Sequence, residues 1–183
     1  MSKTLILIPS RMSATRLPGK PLMKINNLSI ISHVYKKASE TNIGEVYVAT
    51  EDEAILNDIK SNGGKGIITS NKHKTGTDRI FEAYEKLNLK NIDYILNLQG
   101  DEPVIDSKDI INLNNLIINE NLEMGTLACK ILDNKNYTDE NIVKVKTENE
   151  LTKNKISKAK DFFRKLESND KANIYHHIGI YLY

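Results

Sequence analysis

Apolar positions in the first half of the chain fall into short runs of two alternating kinds. Residues 4–9 are almost continuously apolar and end at a proline, the pattern of a parallel strand covered on both faces. Residues 28–39 then carry Ile30, Ile31, Val34, Tyr35 and Ala38 at helical spacing. The alternation continues with a strand over 45–49, a helix over 53–61 and a strand over 65–69 that follows Gly63-Gly64. It ends with a helix over 77–87 that turns Ile80, Tyr84 and Leu87 inward, a strand over 93–98 and a helix over 107–119. Strand and helix in turn imply βαβ units and a doubly wound, mainly parallel α/β sheet.

The pattern loosens beyond residue 122. Residues 125–132, 142–146 and 175–183 read as strands and 161–168 as a short helix. Residues 149–160 are polar and lysine-rich, as a solvated connection would be. With no internal repeat, residues 1–183 read as one domain, regular over 1–122 and irregular over 123–183.

Composition narrows the range of functions. The 26 Lys and Arg against 24 Asp and Glu leave a net charge of +2, which argues against a broad nucleic-acid surface. The apolar stretch Leu5-Ile-Leu-Ile8 is too short for a secretory core of about seven residues or a membrane span of about twenty. A lone cysteine, Cys129, cannot form an internal disulfide, so a reducing cytoplasm is the expected compartment. Within its apolar run Cys129 reads as a small core residue rather than a nucleophile.

Ligands of open parallel sheets bind beyond the carboxyl ends of the strands, and polar clusters follow the predicted strands here. The first is Arg11-Met-Ser-Ala-Thr-Arg16-Leu-Pro-Gly19-Lys20-Pro21-Leu22. Arg11, Arg16 and Lys20 supply cations for a polyphosphate, and Gly19 lets backbone approach it; the alternative is an exposed basic loop. The Walker spacing is absent. The second cluster is Asn97-Leu-Gln99-Gly100-Asp101-Glu102-Pro103, where Asp101 is placed to hold Mg²⁺ against phosphates, or simply to form a turn. The third is His73-Lys-Thr75-Gly76-Thr77-Asp78-Arg79, with Thr77 a candidate helix N-cap and Asp78 an acid in the first turn. Thr50-Glu51-Asp52 reads as another cap, and alternation in the last strand turns one of His176 and His177 inward.

Taken together, the clusters resemble one family, the 3-deoxy-manno-octulosonate (Kdo) cytidylyltransferases, also called CMP-Kdo synthetases. The segment from Pro9 to Leu22 is similar to their signature loop. Ala49-Thr-Glu-Asp52, His73 to Arg79, Asn97 to Pro103 and His177-Ile-Gly179-Ile-Tyr181-Leu-Tyr183 follow in the family's order. The resemblance implies a nucleotide-diphospho-sugar transferase fold with a nucleotide-binding half over 1–122 and a sugar-binding and dimerisation half over 123–183. It implies transfer of CMP from CTP to Kdo with release of pyrophosphate, for lipopolysaccharide synthesis in the cytoplasm, by a homodimer that needs Mg²⁺. By resemblance Arg11 and Lys20, with Arg16, hold the triphosphate, and Asp101 binds the metal. Gln99 and His177 contact the acid sugar, Gly19 and Gly100 shape the loops, and His73, Thr75, Gly76, Thr77, Asp78 and Arg79 frame the nucleotide. No nucleic-acid or membrane partner is implied.

Departures from the pattern keep two alternatives open. Ala14 and Thr75 stand where the family has Ser, and its Phe-Ser-Arg motif has only a remnant at 156–159, with Lys158 in place of the arginine. Family members also run on for about a third of this chain's length, through a dimer-forming segment and a second metal-binding Asp. The alternatives are therefore a cytidylyltransferase for another acid sugar, 8-amino-Kdo or sialic-acid-like, or a fragment that binds CTP without turnover.

Overall fold

In the computed structural model, residues 3–13, 17–153, 155–166 and 171–183 are described. Strand β1 (Thr4–Ser10) is buried along its whole length. It lies between β4 (Gly44–Thr50) and β6 (Tyr94–Leu98), parallel to both, and β5 (Gly66–Ile68) extends the parallel set beyond β4. The alternation of side chains along β1 explains its burial. Ile6 and Ile8 enter a core with helices α1 (Ile30–Glu40), α2 (Glu53–Ser61) and α4 (Ser107–Asn119). Leu5 and Leu7 face the opposite way, onto Ile80 and Ala83 of α3 (Gly76–Leu87). Helices therefore cover both faces of the parallel strands, as the apolar pattern requires, and the doubly wound expectation holds.

The second half closes the sheet with antiparallel strands. β10 (Ile174–Leu182) pairs with β6 through Ile180↔Leu98 and Leu182↔Leu96. It also pairs with β7 (Gly125–Cys129) and with β8 (Lys144–Thr147), and β8 pairs in turn with β9 (Ala159–Phe163). Lys144 is fully buried and donates to the carbonyls of Asp139 (2.5 Å) and Arg164 (2.7 Å), while Arg164 donates back to those of Glu140 and Asn141. A buried lysine so satisfied is tolerable, although burial lowers its pKa.

Four expectations are corrected. Residues 159–163 form a strand instead of a helix beginning at 161, because the open edge of β8 offers backbone partners that local helical spacing cannot outweigh; 167 and 168 lie outside the described residues. Residues 24–29 contain a hairpin, β2 (Lys24–Ile25) and β3 (Leu28–Ser29), turned by Asn26 and Asn27, both at positive φ. Ser29 then caps α1, accepting from the Ser32 N–H at 3.1 Å. The N-cap of α3 is Thr75 and not Thr77. Cys129 is exposed at the end of β7, because that strand pairs only with β10 among the described strands and leaves its last residue uncovered.

Candidate active site

The carboxyl ends of β1, β4 and β6 emerge on one side of the sheet, since the three run parallel. The loop that leaves β1 turns back on itself there. Gly19 sits in the left-handed region at φ 75° and donates to the Met12 carbonyl at 3.0 Å, a conformation glycine adopts without penalty. The Met12 N–H donates to Asp52 Oδ2 at 2.8 Å, so Asp52 holds this loop and makes no side-chain cap at the α2 N-terminus. A 3₁₀ turn (Lys20–Leu22) follows Gly19 and swings Lys20 toward β6, where its Nζ donates to Asp101 Oδ2 at 2.8 Å. Gly100 permits that approach: a Cβ there would stand 2.9 Å from the Pro9 carbonyl oxygen and 3.0 Å from Ile31 Cδ1.

These segments enclose a cleft of about 290 Å³. Of the residues singled out from sequence, Arg11, Lys20, His73, Thr75, Gly76, Arg79, Gln99, Gly100 and Asp101 line it, together with Pro9, Ser10 and Pro21. Gly19, Thr77, Asp78 and His177 do not. Arg16 lies outside the described residues. Arg11 is exposed, as a side chain available to an anion must be. Ser10 Oγ is buried with no hydrogen-bond partner among the described residues.

One wall is built by α3. Thr75 Oγ1 accepts from the Asp78 N–H at 3.1 Å and donates to Asp78 Oδ2 at 2.7 Å, so Asp78 completes the cap instead of facing the cleft. Arg79 is only 2% exposed, and its guanidinium is bound to Glu51, to Thr69 Oγ1 at 2.7 Å and to the Ser70 carbonyl at 3.3 Å. Glu51, read from sequence as part of a cap, is therefore the counter-ion of a buried arginine. Nothing in the sequence announces that pairing across 28 positions.

Glu82, three residues beyond Arg79, binds His73 Nε2, the Ser70 N–H at 2.8 Å and Lys86 Nζ at 2.7 Å. Lys86 first, then His73 and the Ser70 amide, hold its carboxyl down to about 2. A carboxyl lowered on folding contributes stability that is complete above its ordinary value of 4.5 and is lost as pH falls from there toward about 2. Acid unfolding of the wild type should therefore show a loss in that window that Glu82→Gln lacks; parallel pH curves for the two would refute the coupling.

His177 occupies the other side of β6. It is 8% exposed, its Nε2 lies 2.9 Å from Thr126 Oγ1, and its ring meets Phe162 edge-on at 5.0 Å and Tyr181 at 5.4 Å. Burial, and then His176, lowers its pKa, favouring the neutral ring. Thr126, Phe162 and Tyr181 also line a larger groove of about 970 Å³. Gly179 links the two regions, since a Cβ on it would stand 3.0 Å from Gln99 Cγ. Gln99 in turn reaches Asn97, which donates to the Tyr183 hydroxyl at 3.2 Å. Burial raises the Tyr183 phenol, offset in part by its hydrogen bonds with Asn97 and Thr77, so Thr77 braces the last residue of the chain. An arginine also stands at the end of β9 in Phe162-Phe163-Arg164, where the 156–159 segment offers only Lys158.

Comparison with known proteins identifies the family. The cytidylyltransferase family profile matches residues 5–183. The chain belongs to the cytidylyltransferase family. A 3-deoxy-manno-octulosonate cytidylyltransferase of Thermodesulfovibrio yellowstonii is 43% identical to this cytidylyltransferase over 98% of the chain and 74% of the relative. An 8-amino-3,8-dideoxy-manno-octulosonate cytidylyltransferase of Shewanella halifaxensis is 39% identical over 97% of the chain and 73% of its own length. Among solved structures, a CMP:2-keto-3-deoxy-manno-octonic acid synthetase complexed with CTP superposes with a TM-score of 0.86 at 36% identity, covering all of this chain and 74% of that one. No helix among the described residues of this family member is long and apolar enough to cross a membrane.

Proposed function

We propose that the protein transfers CMP from CTP to 3-deoxy-manno-octulosonate, releasing pyrophosphate and supplying the activated acid sugar for lipopolysaccharide synthesis. The observation that carries this reading is the convergence of Arg11, Lys20 and Asp101 on one cleft in a chain whose relatives bear that activity in their names. The anomeric hydroxyl of the sugar attacks the α-phosphorus, the new O–P bond forms as the α–β bridging P–O bond breaks, and the hydroxyl proton leaves to solvent. Arg11 and Lys20 bind the phosphate oxygens and offset the charge that collects on the departing pyrophosphate. Lys20 exchanges its Asp101 partner for phosphate when the nucleotide arrives. Gln99 and His177 orient the acid sugar, His177 as a neutral donor or acceptor beside Thr126.

Asp101 fits a magnesium site: its carboxylate is 56% exposed in the cleft, and Mg²⁺ needs only one or two carboxylates beside phosphate oxygens and water. The metal would supply charge neutralisation along the triphosphate.

Pyrophosphate release from CTP, Mg²⁺ and Kdo tests the reading directly, with 8-amino-Kdo as a second acceptor because one similar protein is named for that sugar. Release with neither sugar by a folded protein that binds CTP would leave a nucleotide-binding fragment; release with the amino sugar alone would reassign the substrate.

A further inference from the structure

Glu82 has no role in the reaction just described, yet three donors from two segments meet on it, one of them His73 of the cleft lining. Its Oε2 accepts from the Ser70 N–H and from His73 Nε2, and its Oε1 accepts from Lys86, which also donates to the Ile68 carbonyl at 3.1 Å. The Glu82 carboxyl, held down to about 2, is ionised at any working pH and can only accept. The proton in the bond between Glu82 and His73 therefore sits on Nε2. In a neutral imidazole that leaves Nδ1 as a lone pair. His73 is a lining residue of the cleft, with its side chain 20% exposed.

We infer that Glu82 is a positioning residue for nucleotide recognition: it fixes His73 as the Nε2–H tautomer, so that Nδ1 accepts a hydrogen bond from a donor on the nucleoside half of the substrate. Phosphate oxygens do not suit that lone pair, because they too are acceptors. The nucleoside offers two kinds of donor, ribose hydroxyls and the exocyclic amine of cytosine. Arg11, Lys20 and Asp101 already account for the triphosphate end of the cleft. This inference rests on the nucleotidyltransferase reading.

A carboxylate that merely braced the loop between β5 and α3 would not select a tautomer, and its removal would weaken CTP binding whether or not His73 were present. Two measurements separate these cases. The first is the ¹⁵N spectrum of the His73 ring in the wild type at about pH 8.5, where an ordinary imidazole is neutral. The expected form is Nε2–H, and a dominant Nδ1–H form overturns the inference without any variant. The second is CTP affinity in a cycle of Glu82→Gln, His73→Ala and the double variant. Losing one charge-assisted contact should weaken CTP about tenfold in Glu82→Gln, and the same change should cost under about twofold once His73 is gone. Equal losses in both backgrounds overturn the inference. 2′,3′-Dideoxy-CTP then locates the donor: if Glu82→Gln no longer matters for the dideoxy nucleotide the donor is a ribose hydroxyl, and if it still does the donor is the amine. A folded wild type that binds no CTP overturns the nucleotidyltransferase reading and this inference with it, whereas binding with an uncoupled cycle overturns this inference alone.

Discussion

Replacing Asp101 by alanine is expected to lower pyrophosphate release by on the order of a thousandfold, the several kcal/mol that a metal-holding carboxylate contributes to phosphoryl transfer. Stability should hardly change. Asp101 is 56% exposed, and its pair with Lys20, itself 32% exposed, is of the surface kind that contributes at most about 1 kcal/mol. The nucleotide should respond in the opposite sense from turnover. Without metal, Asp101 is a negative charge beside the cations proposed to receive the triphosphate, and it occupies Lys20; its removal frees that lysine. CTP binding in metal-free buffer should therefore be equal or tighter in Asp101→Ala, while turnover in Mg²⁺ collapses. Residual turnover above about a tenth of wild type would remove Asp101 from this role, since a metal-holding carboxylate cannot be dispensed with so cheaply. Weaker metal-free binding would instead show that the Lys20–Asp101 pair shapes the loop after β1.

How much of this was legible beforehand depends on the range of the contacts involved. The parallel strands and their helices were readable because burial on both faces imposes continuous apolar runs such as Leu5 to Ile8, and helix faces impose the spacing of Ile30, Ile31 and Val34. The meeting of the loop after β1 with the turn after β6 was readable because a parallel sheet brings such ends together. The hairpin over 24–29 was missed, although its signal was local. Every non-glycine residue at positive φ among the described ones is an asparagine, so in this chain Asn marks turns where Gly would be sought. Strand β9 was misread because its reason for existing, the open edge of β8, lies elsewhere in the chain. The partners of Arg79 and His73 were invisible for the same reason. Spacing shows which residues share a loop, but Glu51 and Glu82 reach the third cluster from β4's end and from within α3.

Arg79 illustrates what that difference entails for experiment. The motif that contains it frames the nucleotide by resemblance, and its residue does line the cleft, yet its guanidinium is spent on Glu51, Thr69 and Ser70 and is 2% exposed. Removing one member of a buried ion pair leaves the other uncompensated, at a cost of about 3–5 kcal/mol. Glu51→Ala should therefore lower the stability read from urea unfolding by about that amount, a large part of the margin of about 5–15 kcal/mol available to a typical domain. Arg79→Lys should fall between that variant and the wild type, because a single ammonium cannot reproduce the fork that spans Glu51, Thr69 and Ser70. Replacing both partners by apolar residues of similar size should cost less than Glu51→Ala alone, because no charge is then stranded. These signs follow from burial and are independent of the nucleotide. If Glu51→Ala instead keeps its urea midpoint while CTP affinity falls, the guanidinium serves the ligand and Glu51 only aims it.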